Sequence, residues 1–68
     1  MSKLISTILE DIQAITGEAG EFHLGNFYAE CGTIAQANSV ADVIQNACNN
    51  KPVEVRNLEA NIYAFIVA

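Results

Sequence analysis

The stretch that decides the fold is residues 21–31, which read Glu21-Phe22-His23-Leu24-Gly25-Asn26-Phe27-Tyr28-Ala29-Glu30-Cys31. Gly25 and Asn26 separate two short runs rich in aromatic residues, an arrangement typical of a β-hairpin with a two-residue turn. We therefore predict strands at about residues 21–24 and 27–34. A helix over residues 27–37 is the alternative, because a short apolar run fits either element, and Gly32 with Thr33 weighs against it.

The predicted turn also sets which residues lie opposite each other. Counting outward from it, the cross-strand pairs are Leu24 with Phe27, His23 with Tyr28, Phe22 with Ala29, and Glu21 with Glu30. The apolar members share the core face: Phe22, Leu24, Phe27, Ala29 and Cys31. The polar members share the other face: Glu21, His23, Tyr28 and Glu30. Two opposed glutamates destabilise a sheet unless a cation from a partner binds them.

A helix is predicted before the hairpin, over about residues 3–16. Its apolar side chains recur at helical spacing, at Leu4, Ile8, Ile12 and Ile15. Ser2 is a suitable N-cap, and Gly17 with Gly20 ends the helix.

The second half of the chain predicts another helix and two strands. The helix starts at a capping box, Ser39-Val40-Ala41-Asp42, and stops at Asn49-Asn50-Lys51-Pro52. Strands follow at 53–56 and 58–67, where the alternative is a terminal helix with Asn57 as its N-cap. We expect one α+β domain over residues 1–68, with two helices packed on a small antiparallel sheet in the order α-β-β-α-β-β.

The C-terminal run, Ile62-Tyr63-Ala64-Phe65-Ile66-Val67-Ala68, is apolar on both faces of its predicted strand. Two helices and one sheet make two layers, so the second face of the sheet has no layer of its own to cover it. Either the curled hairpin covers it, or a second copy or another partner does, since large apolar patches mark interaction sites. For the second case we expect a homo-oligomer that self-associates through Ile62, Tyr63, Phe65 and Val67.

The chain is acidic, with eight Asp or Glu against three Lys or Arg and a net charge of −5. Between Lys3 and Lys51 no basic residue offsets the carboxylates of Glu10, Asp11, Glu18, Glu21, Glu30 and Asp42. Binding to phosphates needs several cations, so we expect no direct binding of nucleic acid. Such a field keeps a small domain soluble, and it also suits recognition of a protein partner with a basic surface.

Candidate catalytic or metal-binding side chains are few. A structural zinc site needs four ligands in close pairs, whereas His23, Cys31 and Cys48 are widely spaced. His23 and Cys31 point to opposite faces of the predicted hairpin, which prevents a thiolate–imidazole pair. The glycines are not followed by the Lys-Ser/Thr pair that a phosphate-binding loop requires. We expect no enzyme, no metal, no cofactor and two reduced thiols in the core.

The apolar run Leu4 to Leu9 is interrupted by Glu10 and Asp11 and no cleavage site follows, so we expect a cytoplasmic protein that binds no membrane. In size and charge the chain resembles the very small acidic inhibitors that phages use against host defence or host transcription. The resemblance implies a viral inhibitor or regulator that occupies a basic, nucleic-acid-binding surface of its target. The predicted binding residues are Glu18, Glu21, His23, Tyr28 and Glu30. The alternative is a structural or assembly subunit that self-associates through the apolar C-terminal segment.

Overall fold

The computed structural model describes the backbone of residues 3–68 and the side chains of residues 4–68. Its elements are α1 (Lys3–Thr16), β1 (Glu21–His23), β2 (Asn26–Glu30), α2 (Ile34–Ala47), β3 (Val53–Glu59) and β4 (Ile62–Val67). The strands form one antiparallel sheet in the order β1-β2-β4-β3. The predicted α+β class and the order α-β-β-α-β-β are confirmed.

Both helices pack on the same face of the sheet. The largest fully buried side chains come from both helices and from the sheet: Ile8 and Ile12 from α1, Val40 and Ile44 from α2, Phe65 from β4 and Cys31 after β2. Alternate strand residues complete this cluster, namely Phe22, Phe27, Ala29, Val53, Val55, Tyr63 and Val67. Because each large side chain buried here stabilises the fold by about 1.5–3 kcal/mol, this cluster holds the two layers together.

The first helix spans the predicted residues, Lys3–Thr16. It ends at Gly17, whose φ of 79° is a left-handed conformation that glycine adopts without strain. The N–H of Gly17 donates to the carbonyl oxygen of Gln13 at 2.8 Å. The predicted N-cap, Ser2, lies outside the described residues.

The second helix begins earlier than predicted, so the Ser39 capping box is wrong. Its N-cap is Thr33, whose hydroxyl accepts from the N–H of Gln36 at 3.1 Å. The side-chain oxygen of Gln36 in turn accepts from the N–H of Gly32 at 2.7 Å. Thr33 and Gln36 thus form a variant of the capping box, in which the second bond comes from the residue before the N-cap, and Ser39 lies inside the helix. For the same reason β2 ends at Glu30 rather than at residue 34, and a helix over 27–37 is wrong.

The first hairpin turns at Leu24-Gly25 rather than at Gly25-Asn26. Their φ angles, 51° and 85°, are both positive, as the tight turns that match strand twist require. The observed pairs are Glu21 with Tyr28, Phe22 with Phe27, and His23 with Asn26. The predicted register is therefore wrong by two residues. An even shift leaves every strand residue on its predicted face, but Leu24 lies in the turn, 86% exposed, instead of in the core.

The last hairpin also differs from prediction, because Leu58 and Glu59 belong to β3 and the turn is Ala60-Asn61. A bulge between Asn57 and Glu59 shifts the register there. The side-chain amide of Asn57 donates to the carbonyl oxygens of Ala60 at 3.0 Å and Ile62 at 3.3 Å, and so braces the turn. The alternative of a terminal helix after Asn57 is wrong.

The two capping boxes give opposite predictions for a pair of alanine substitutions. Thr33→Ala removes the hydrogen bond to Gln36 and should lower the free energy of unfolding by about 1 kcal/mol. Ser39→Ala is the matched control, exposed inside the helix, and should leave stability unchanged or slightly raised because alanine favours helix. Urea unfolding measures both variants. A larger loss for Ser39→Ala than for Thr33→Ala would contradict the observed start of α2.

Candidate functional site

The sheet face that points away from the helices carries the candidate site. We call it the open face, and it consists of Glu21, His23, Asn26, Tyr28, Glu30, Glu54, Arg56, Ile62, Ala64 and Ile66. None of these residues belongs to the cluster that packs against the helices. In the described part of the chain no element lies over this face, which leaves it available to another molecule.

An apolar strip runs along the middle of the open face. It is formed by Ile62, Ala64 and Ile66 of β4, which is an inner strand between β2 and β3. Ala64 is 4% exposed although no layer covers it. Its cross-strand partners Tyr28 and Arg56 stand on either side and shield it. The face is therefore apolar at its centre and polar around it, which is the usual arrangement of a protein interface.

One end of the strip opens into a depression of about 160 Å³, which we call the acidic depression. Its lining residues are Glu18, Ala19, Glu21, Tyr28, Ala29, Glu30 and Ile62. Pockets for small molecules usually measure about 300–1,000 Å³, so this one is too small and too open to enclose a substrate. Its chemistry, three carboxylates around a tyrosine and an isoleucine, suits one cationic side chain of a partner.

The loop between α1 and β1 fixes the backbone at Glu18. The hydroxyl of Thr16 accepts from the N–H of Glu18 at 3.1 Å, and it lies 2.9 Å from the carbonyl oxygen of Ile12. Gly20 allows the loop to pack closely against the side chain of Ile12 and the backbone of Tyr28. A Cβ at that position would meet Cγ2 of Ile12 at 2.9 Å and the carbonyl oxygen of Tyr28 at 3.2 Å, so no larger residue fits without displacement.

The carboxylates of the acidic depression are exposed, and none of them forms an ion pair with a side chain of residues 4–68. Within residues 4–68 an ion pair joins Arg56 to Glu54 on β3, which lies across the apolar strip from Tyr28. Glu59, the cross-strand partner of Ile62 on β3, adds a fourth carboxylate next to the depression. Like charges grouped around one depression produce a local negative field that attracts basic surfaces.

Four of the five predicted binding residues meet at this site. Glu18, Glu21, Tyr28 and Glu30 line the acidic depression, while His23 lies on the same face nearer the turn. The predicted opposition of Glu21 and Glu30 is wrong, because Tyr28 lies opposite Glu21 and Ile62 lies opposite Glu30. Sequence reasoning missed Glu59, which the bulge and the Ala60-Asn61 turn bring beside Ile62.

The predicted self-association residues divide between the two faces. Ile62 lies on the open face, whereas Tyr63, Phe65 and Val67 face the helices. Phe65 is 0% exposed, so a charge placed there would disrupt the core and would not report on an interface. Ile66, which was not among the predicted residues, is the open-face neighbour of Phe65.

His23 lies on the open face, whereas Cys31 lies in the core on the other side of the sheet. Cys31 is buried in the core, Cys48 is half-buried, and both are free. Burial raises the pKa of the Cys31 thiol, which keeps it protonated and a poor nucleophile. Among the described residues no group of three His, Cys, Asp or Glu is placed to hold a metal ion. Nor does either described helix have the length and apolar content needed to cross a bilayer.

Comparisons with protein-family models, with curated proteins and with solved structures found no match to this chain.

The burial of Cys31 predicts a pH dependence of stability. Its pKa is raised in the folded state, so the unfolded thiol ionises first and the free energy of unfolding should fall as pH rises above the ordinary thiol range. Below that range the contribution is fully present. Cys31→Ala should cost about 1–2 kcal/mol at neutral pH and should show a smaller alkaline fall.

Denaturant unfolding at neutral and alkaline pH measures this difference. Labelling with a thiol reagent at neutral pH provides the control, since half-buried Cys48 should react before buried Cys31. Equal labelling rates in the folded protein, or an alkaline fall that is unchanged in Cys31→Ala, would contradict the burial of this thiol.

Proposed function

We propose that this protein is a small non-catalytic inhibitor or regulator that binds a basic surface of another protein through the acidic end of its open face. One observation carries the proposal. Glu18, Glu21 and Glu30 line one depression around Tyr28 and Ile62, and no side chain of residues 4–68 forms an ion pair with them. Like charges grouped at one surface attract a partner of opposite charge.

The composition of the site supports protein binding over other uses. Tyrosine at the centre of an interface is a frequent anchor, and Tyr28 is half-buried between the carboxylates and the apolar strip. Carboxylates at the rim mainly raise the association rate with an oppositely charged partner. Arginine is the preferred counterpart because its guanidinium can bind a carboxylate through two hydrogen bonds.

The target surface that fits best is one that binds nucleic acid. Such surfaces are rich in Lys and Arg, and a domain with a net charge of −5 would compete with phosphates for them. A cytoplasmic location and a viral origin belong to the same proposal, and their support is the small size and acidity of the chain. No chemical step is part of this function.

Self-assembly is the second candidate function, and the apolar strip of Ile62, Ala64 and Ile66 favours it. In that case the open face would meet another copy of the chain. The two candidates differ in their dependence on charge, because burial of an apolar strip responds little to the carboxylates or to salt.

A pair of triple charge reversals tests the proposal. Changing Glu18, Glu21 and Glu30 to Lys moves the net charge from −5 to +1 and should abolish capture of basic proteins from a lysate of the source cells. The matched control changes Glu10, Asp11 and Asp42 to Lys. It has the same net charge, but its substitutions lie on exposed helix positions away from the open face, and capture should persist.

Circular dichroism and thermal melting establish that both variants fold. Titration calorimetry with a purified captured protein should then show that wild-type affinity falls as salt rises, because the Debye length shrinks below about 10 Å above 0.1 M salt. Equal loss of binding in both variants would show that binding depends on net charge and not on the position of the carboxylates. An affinity that changes neither when Glu18, Glu21 and Glu30 become Lys nor when the salt concentration rises would refute the proposal and favour self-assembly.

A further inference from the structure

We propose that the edge strand β3 is a dimerisation edge, on which a second copy of this chain pairs antiparallel about a two-fold axis at Val55. This goes beyond the proposed function, since it concerns a different surface from the acidic depression. It also differs from association through the apolar strip, because the contact is made by the backbone edge of the sheet.

The sheet order leaves two edges, and they differ in length. β1 has three residues and β3 has seven. The outer side of β3 has no neighbouring strand in the described chain, and Glu54, Arg56 and Asn57 along it are exposed. A row of backbone N–H and C=O groups of this kind is a template for pairing with another strand.

Two features limit the part of β3 that can pair. Pro52 precedes the strand and supplies no N–H, and the bulge at Leu58 interrupts regular pairing near its other end. The regular stretch between them is Val53–Asn57 in sequence, and its middle residue is Val55. Geometry alone therefore centres a symmetric pairing on Val55.

The charges on the open face select the same centre. When a strand pairs antiparallel with its own copy about Val55, Glu54 lies opposite Arg56 of the second copy, and Arg56 lies opposite Glu54. Both side chains are on the open face and more than half exposed, at 55% and 61%. A centre at Glu54 or at Arg56 would instead oppose two like charges, which destabilises a sheet.

The proposed dimer has a definite architecture. Pairing about Val55 keeps both sets of helices on the same side, because paired antiparallel residues share a face. Two four-stranded sheets become one continuous sheet, and the two open faces become a single surface with an acidic depression from each copy. Such a surface could engage two basic sites of a partner at once.

Charge reversal and charge swapping on β3 test the inference. We expect wild-type protein to sediment as a dimer at micromolar concentration. Glu54→Arg and Arg56→Glu should each weaken the dimer by roughly tenfold or more, because each opposes like charges twice across the axis. The double variant E54R/R56E restores opposite charges and should return the dissociation constant to within about threefold of wild type.

The two single variants separate a local contact from net charge. Glu54→Arg changes the net charge from −5 to −3, which lowers repulsion between copies, whereas Arg56→Glu changes it to −7. Weakening by both variants therefore identifies the strand contact. Glu59→Arg is the matched control, since it lies beyond the bulge on the same strand and should leave the dimer intact.

Circular dichroism checks that each variant folds, and amide hydrogen exchange gives a second readout. Outward-facing amides of Val53–Asn57 should gain protection as protein concentration rises. A monomer at every concentration up to millimolar would overturn the inference. So would a dimer that weakens only with Arg56→Glu, or one that is insensitive to both reversals but lost on Ile62→Lys, which would place the contact on the apolar strip.

Discussion

The burial of Phe65 in the core between the sheet and the helices is the constraint on which the rest of the structure depends. Phe65 lies on the inner strand β4, opposite Phe27 on one side and Val55 on the other, and it is fully buried. Because strand side chains alternate, its burial directs Ile62, Ala64 and Ile66 to the other face. Both helices lie on the side of Phe65, so no element of the described chain covers that other face.

The proposed interactions follow from this arrangement, in which one face of the sheet packs against the helices and the other face is open. The described acids are all exposed, yet those around Ile62 are concentrated because β4 lies between β2 and β3 and thereby brings Glu30 and Glu59 to either side of one residue. The edge strand β3 results from the same order. The acidic depression and the dimerisation edge can thus coexist on one small sheet. The depression uses side chains at one end of the open face, whereas the edge uses the backbone of β3.

Local patterns predicted α1 and the two faces of the hairpin, because helical spacing and strand alternation depend on neighbours in sequence. The turn at Leu24-Gly25 escaped prediction since a leucine at positive φ breaks the usual residue preference. The start of α2 was missed because a second capping motif, formed by Thr33 with Gln36, lies upstream of Ser39 and is the one that is used. The shared face of Glu21, Tyr28 and Glu30 could be predicted from strand alternation. Ile62 and Glu59 lie at the site because of long-range strand pairing, which no local pattern encodes.

The orientation of β4 can be measured most directly with two neighbouring alanine substitutions, Phe65→Ala and Ile66→Ala. Their free energies of unfolding should differ sharply, because Phe65 faces the helices and Ile66 the open face. Phe65→Ala should lose about 3–5 kcal/mol, a large part of the stability of so small a domain, whereas Ile66→Ala should lose less than about 2 kcal/mol. Equal losses, or a larger loss for Ile66→Ala, would contradict the two-layer fold with one open face.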